Sequence, residues 1–288
     1  MALKTHIKRR KNIAFVILLI LSIIWVLPLL WALGTSFKSN IDMTTNIITI
    51  IPRDFTFDNY KALFSNNASY PIFKWLRNSA IVSITHTLLY LLFATMAAYA
   101  FGVMRWKGRN LVFGLLLATM TIPSVINLTP LFTMVIQFGW LDSEAAWKSL
   151  FALILPGLGG VFGLFILRQF FANIPYDLIE SAQIEGLGHF GVYRKIVLPL
   201  GKSAIMVAGL FAFMGSWNDY LWPTLTAAVH FDQNWYTLQT GLATMQSSSN
   251  YDPGLVIAAA IVSILPVLVV YMFVQDKIIE GVSHTGIK

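Results

Sequence analysis

Six stretches of the chain stay apolar for about 20 residues or more, roughly 13–33, 79–102, 111–138, 149–167, 203–225 and 254–274. A helix of about 20 residues spans the hydrocarbon of a bilayer. In lipid every backbone polar group must pair within the protein, so runs of this length are read as helices. The strict alternation of a membrane barrel is absent. The pattern predicts an all-α integral membrane protein with six transmembrane helices.

Composition agrees. Hydrophobic residues make up 57% of the 288 and charged ones 11%, against about 25% in a soluble domain. The solvent is lipid. Nine Trp and 10 Tyr supply interfacial anchors. With no Cys, a disulfide framework and a thiolate metal site are both excluded.

The net charge of +7 raises the possibility of nucleic acid, but its placement points to topology instead. Lys4, Lys8, Arg9, Arg10 and Lys11 precede the first apolar run, as in a retained cytoplasmic tail. A cleaved signal peptide also begins basic, but it has a shorter core and a small-residue cleavage site. With the amino terminus inside, fourteen of the 20 Lys and Arg fall on inner segments. Lys38, Arg53, Lys61, Lys74, Arg77 and Lys148 fall outside. Both termini are therefore expected in the cytoplasm. The organisation reads as a basic tail (1–12), a first helix (13–34), an external loop (35–78), a five-helix core (79–275) and a cytoplasmic C-terminal tail (276–288). The core includes an inner loop, 168–202, and an outer loop, 226–253. In the first outer loop, "IPRDFTFDNYKALF" predicts an extended entry at Pro52 and a short surface helix over "DNYKALF". No internal repeat is evident.

The inner loop contains "ESAQIEGLGHFGVYRKIVLP", residues 180–199. Pro175 suits a first helical turn, and Asp177 and Glu180 favour the positive end of the helix. Gly186 is a natural stop. A second short helix over 190–197, ended at Leu198–Pro199, completes a compact helix–turn–helix. Ser181 and Ala182 are small enough for a partner to approach the backbone, and Glu180 and Glu185 offer charge to basic groups opposite. On physical grounds this surface either docks a protein or lies on lipid.

Glu180, Ala182, Gly186, Ile196, Leu198 and Pro199 fit the spacing E-x-A-x3-G-x9-I-x-L-P, which resembles the "EAA" loop of ABC importer permeases. Ser181 stands where that motif has alanine, and Glu185 where aspartate is common. "PLLWALGTSFK", "FTFDNYKALF", "RNSAIVS", "GSWNDYLWP" and the terminal "QDKIIEGVSHTGIK" are similar, in order, to the smaller permease of carbohydrate importers of the maltose-transporter type. Asp276 and the loose "HTGIK" ending depart most from that pattern.

The resemblance implies a type I importer permease in the bacterial inner membrane, forming half of a translocation pore. It implies four partners besides the bilayer: a second permease subunit, two ATPase subunits and an extracytoplasmic solute-binding protein. ATP and Mg would be held by the ATPases, with no cofactor in this chain. Glu180, Ser181, Ala182, Glu185, Gly186, Ile196, Leu198 and Pro199 would form the ATPase-coupling surface. The cargo implied is a carbohydrate, an oligosaccharide above all, with a polyol or glycerophosphate-type solute as the alternative.

Ionisable groups inside a span are functional suspects. His86, flanked by threonines, is expected to bond a neighbouring helix, and Asp219 lies near an outer end. With Trp217 and Asn218, Asp219 is a gating or structural candidate by the family resemblance. Pro123 and Pro130 should bend the third helix, leaving Asn127 and Thr129 to satisfy freed groups or line a cavity. Gly157, Gly159, Gly160 and Gly163 form a small-residue face for helix packing. No GxxxxGK[ST] phosphate loop occurs, so nucleotide chemistry belongs to another chain and no catalytic residue is expected. The 226–253 loop carries Phe231, Trp235, Tyr236 and several amides. They suit sugar or a binding protein, or else a solvated connector; the resemblance favours the binding protein, with Trp235, Tyr236, Gln246, Asn250 and Tyr251 as the contacts it implies. A stand-alone secondary transporter would need paired intramembrane charges or repeats, and a membrane enzyme would need a cluster of His, Asp or Glu. Neither pattern is seen.

Overall fold

The computed structural model describes residues 2–65, 70–141, 146–230, 233–249 and 251–285. Among these the fold is helical, with one isolated β-bridge between Lys38 and Phe55. The helices are α1 (Ala2–Thr35), α2 (Asn40–Thr45), α3 (Asp58–Phe64), α4 (Ile72–Gly102), α5 (Arg109–Thr119), α6 (Leu128–Gln137) and α7 (Ala146–Ile154). They continue with α8 (Val161–Ala172), α9 (Tyr176–Ile184), α10 (His189–Leu200), α11 (Lys202–Trp217), α12 (Leu221–His230), α13 (Leu238–Ser247) and α14 (Pro253–Thr285).

Three helices are long and apolar enough to cross a membrane alone, over Arg10–Thr35, Ile72–Gly102 and Pro253–Lys277. Three bent pairs supply up to three more: α5 with Ser124–Gln137 at 90°, Ser149–Gly159 with α8 at 47°, and α10 with α11 at 80°. The apolar runs thus overlap all six candidate segments but do not show their breaks. The third run breaks before Pro123, where the 3-10 turn Ser124–Asn127 intervenes. Pro130 then falls in the first turn of α6, where its missing N–H costs nothing. The fifth run is not one helix to residue 225. α11 ends at Trp217, and α12 starts at Leu221 with the Trp222 N–H donating to Asp219 Oδ1 at 3.4 Å. The second span begins at Ile72 rather than near 79, and α14 continues helical through the segment assigned to the C-terminal tail.

Contacts divide the chain into two compact units. One comprises Met1–Ile72 with Leu242–Ile264. Its centre is the loop that follows α1, folded against the last turns of that helix. Lys38 is fully buried and its Nζ donates to the Asn46 carbonyl at 2.7 Å. Asn59, in the expected helix α3, donates from Nδ2 to the carbonyls of Ser36 and Lys38, each at 2.9 Å. Phe37 stacks on Phe55 with ring centroids 5.0 Å apart. The "TSFK" and "FTFDNY" segments are therefore two halves of one packed knot.

Asp42 is 3% exposed in that knot. Burial alone would raise its carboxyl. Hydrogen bonds from the Asn46 side chain and the Arg53 and Asp54 N–H groups, with the field of Lys38, hold it below the ordinary 3.8. A lowered folded value means that its contribution is complete above the unfolded value and is lost as pH falls through the folded one. Protease resistance of residues 36–64 should stay constant from neutrality down to about pH 5 and weaken only below the ordinary carboxylate range. Limited proteolysis across that series checks it.

The second unit comprises Phe73–Gly241 with Leu265–Lys288. Within it, α4 seats its side chains in the glycine face of the fourth span. The Tyr90 hydroxyl donates to the Gly160 carbonyl at 2.8 Å. A Cβ at Gly163 would collide with the same ring, and one at Gly157 would meet His86 Nε2 at 2.7 Å. Helix packing therefore accounts for Gly157, Gly160 and Gly163, whereas Gly159 has open space.

Candidate functional site

The 168–202 loop forms a short, firmly capped helix on a packed base. α9 follows Pro175, and its backbone ends in a Schellman arrangement. Gly186 N–H donates to the Gln183 carbonyl and Leu187 N–H to the Ala182 carbonyl, both at 3.0 Å. Gly186 adopts φ +91°, although a Cβ there would meet nothing within 4 Å. Its requirement is conformational and not one of space. Ala182 and Leu187 occupy the two positions whose apolar contact accompanies this cap. They explain why alanine and glycine stand four apart.

Ala182 is 6% exposed and packs with Ile179 into the chain's own core. The expectation that a partner approaches at Ala182 is thus corrected: helical periodicity turns it inward. Glu180, Ser181, Glu185 and Gly186 are exposed. Ser181 folds its hydroxyl back onto the Asp177 carbonyl at 2.7 Å. Ile196 and Leu198 are half-buried against the core, and only Pro199 of that trio is exposed. Ile184 was missed by the sequence reading. It is 82% exposed, lying five residues past Ile179 and so about 140° round a helix that turns about 100° per residue. An apolar side chain at that phase on an otherwise polar face was the available signal. With Glu180, Ser181 and Glu185 it makes a surface that is apolar at one point and acidic around it.

α10 fastens this surface. It runs from His189 to Leu200 rather than over 190–197. The bulge at Tyr193–Val197, where Leu198 N–H reaches the Tyr193 carbonyl, lets the helix pass through Pro199. Val192, Tyr193 and Val197 join Ile179 and Ala182 in one buried cluster. The same cluster holds Ala98 and Tyr99 of α4, Leu167 and Phe171 of α8, and Ala204 and Ala208 of α11. The buried hydroxyls of Thr95 and Tyr193 lie 2.9 Å apart, and the Arg105 guanidinium sits 3.9 Å over the Tyr176 ring. Packed interiors transmit displacement because they are dense and weakly compressible. One dense cluster therefore joins α9 to the neighbouring ends of α4, α8 and α11.

The other sequence-assigned residues are dispersed. Asn127 and Thr129 are exposed at the break of the third span. Trp217 is buried, stacked on Phe213 with centroids 5.6 Å apart, so its ring belongs to the core. Asn218 is exposed, and Asp219 caps α12. His86 does not make the expected hydrogen bond through Nδ1, which is buried without a partner. Its ring instead lies near-parallel to Tyr90 at 6.0 Å.

Most of the described 226–253 segment is helical. The Trp75 indole N–H donates to the Gln233 carbonyl at 2.8 Å, the Ser79 hydroxyl accepts from Leu238 N–H at 2.7 Å, and Tyr236 stacks on Trp75. Trp235 and Tyr236 are half-buried, while Gln246 and Tyr251 are exposed. Asn250 lies outside the described residues, as does Phe231.

Comparison with known proteins places this geometry. Residues 91–283 match the family described as "Binding-protein-dependent transport system inner membrane component". The arabinooligosaccharides transport system permease protein AraQ of Bacillus subtilis is 31% identical over 274 residues, covering 94% of this chain and 93% of that protein. The diacetylchitobiose uptake system permease protein NgcG of Streptomyces coelicolor is 32% identical over 280 residues, covering 96% and 89%. In fold, the chain matches one from the crystal structure of a bacterial ABC transporter involved in the import of the acidic polysaccharide alginate. The TM-score is 0.75 and the identity 22%, covering 93% of this chain and 96% of that one. With its all-helical membrane architecture and capped inner loop, this chain belongs to the inner-membrane permease components of binding-protein-dependent ABC transport systems, and is a transporter subunit, not an enzyme.

Proposed function

We propose that this chain is one of two permease subunits of an ATP-driven importer whose cargo is a carbohydrate, an oligosaccharide above all. The observation that carries the reading is the near full-length similarity to AraQ and NgcG, whose names specify oligosaccharide or disaccharide uptake. A second permease subunit completes the pore, two ATPases bind ATP and Mg, and an extracytoplasmic binding protein delivers the cargo. Six spans with both termini cytoplasmic put the α9 surface on the ATPase side, and the charge distribution supports that orientation.

In this mechanism, ATP binding draws the ATPases together and displaces α9 through Glu180, Ser181, Ile184 and Glu185. The buried cluster under α9 passes the displacement to α4, α8 and α11, opening the cavity outward, and hydrolysis reverses it. The breaks near Pro123, Gly160 and Gly201 are places where helix segments could reorient as bodies. Asn218 and Asp219, with Asn127 and Thr129, are proposed to border the pathway, and the buried Trp217 to support that gate from the core. Trp235, Tyr236, Gln246, Asn250 and Tyr251 are proposed to face the binding protein.

The test has two arms. Reconstituted with its partner subunits and binding protein, the complex should accumulate a labelled oligosaccharide in an ATP-dependent manner. Uptake of only a polyol or glycerophosphate-type solute would replace the cargo, and transport by the chain alone would defeat the whole assignment. Glu180→Arg with Ile184→Asp should leave the chain in the membrane but abolish ATPase co-purification; retention of the ATPase would show that coupling runs elsewhere.

A further inference from the structure

The turn between α2 and α3 shows an unusual arrangement of polar and apolar groups. Residues 46–51, "NIITII", contain no charge. Ile48 is 89% exposed and Ile51 80%, values that water would penalise for so many branched carbons. Two carbonyls at the start of the same turn are held by side chains. The Asn46 carbonyl accepts from the buried Lys38 ammonium at 2.7 Å and from the Thr49 hydroxyl at 3.0 Å. The Ile47 carbonyl accepts from the Trp31 indole N–H at 3.1 Å.

The contacts with α1 fix the depth of this turn. The bond from Trp31 and the close approach of the Ile50 carbonyl to Gly34 place residues 47–50 beside the last turn and a half of the spanning helix. From Arg10 to Leu30 every residue of that helix is exposed, so the turn continues an apolar, uncovered face. Indole groups favour the membrane–water boundary. Irregular backbone is tolerated near hydrocarbon only where its polar groups are paired; Lys38, Thr49 and Trp31 pair the Asn46 and Ile47 carbonyls, and at the interface water is within reach of the rest.

We propose that residues 46–51 form a wedge at the lipid interface, with Ile48 and Ile51 among the upper acyl chains of the leaflet at the C-terminal end of α1. The partner is the bilayer. The wedge fixes the depth and rotation of α1, which its own chain leaves uncovered. It depends on α1 spanning the membrane and not on which solute is carried, so its failure is separable from failure of the transport reading.

Because the chain has no Cys, Ile48→Cys and Ile51→Cys each create a unique thiol in it. Each is labelled with an environment-sensitive fluorophore in the complete complex in lipid nanodiscs, with label on other subunits identified from the unsubstituted complex. The wedge predicts blue-shifted emission at both positions. Lipids brominated high on their acyl chains should quench it several-fold more than aqueous iodide. Water-like emission quenched by iodide would overturn the proposal by placing the turn in solvent. Blue-shifted emission quenched by neither agent would overturn it by placing the turn against a protein partner.

Discussion

Replacing Gly186 with Val should uncouple transport from ATP hydrolysis while leaving the chain in the membrane. Gly186 holds φ +91° in open space, so the added atoms collide with nothing and the penalty is one of backbone conformation. A side chain in the left-handed region costs about 1–2 kcal/mol, and the cap that ends α9 must bear it. At about 1.4 kcal/mol per factor of ten, the capped conformation loses about 5- to 30-fold in population. Uptake should fall by a comparable factor in proteoliposomes. Asn enters the left-handed region more readily than other side chains, so Gly186→Asn should recover much of the loss. Equal damage from Asn and Val would mean that the position is limited by contact with a partner, and that the conformational account is wrong.

Asn59→Ala should give the larger loss of stability. Its Nδ2 spans the carbonyls of Ser36 and Lys38 at 2.9 Å each, in a site where Asn59 is 7% exposed. Truncation leaves two acceptors without their donor, at about 1–3 kcal/mol per buried group. A Cβ at Gly254 would meet Asn59 Oδ1, so the truncation also opens a gap that the close packing at Gly254 leaves no side chain to fill. The expected signs are a lower unfolding midpoint for the purified complex and faster cleavage within residues 36–64. ATPase co-purification should be unchanged, because this knot is distant in sequence from α9. An unaltered midpoint would show that water replaces the lost donor and that the knot is looser than its geometry suggests.

The two cases differ in how legible they were. Gly186 could be read in advance because a helix stop is a local matter: a glycine after an apolar-periodic helix signals a left-handed cap. Asn59 could not, because the carbonyls it serves lie more than twenty residues earlier and nothing local links them. Ala182 shows the same boundary within one motif. Its small size was visible, but whether it faced a partner or its own core depended on where α10 packed. Ile184 and Ala182 are two residues apart, so helical phase sends them to different sides, and the base on which α9 rests decides which side is free.

The sequence by itself determined the solvent and the element type, since hydrocarbon admits only backbones that pair internally and the apolar runs have spanning length. It also determined the inner loop's cap, and its motif pointed to the permease family. Only the tertiary structure decided where the third, fourth and fifth spans break, which residues of the inner loop face outward, and that buried Lys38 and Asn59 hold the first outer loop together. Helix formation and capping are decided by a residue's neighbours within a turn or two. Burial and the pairing of distant polar groups are decided by which surfaces meet, and that information is spread over the whole chain.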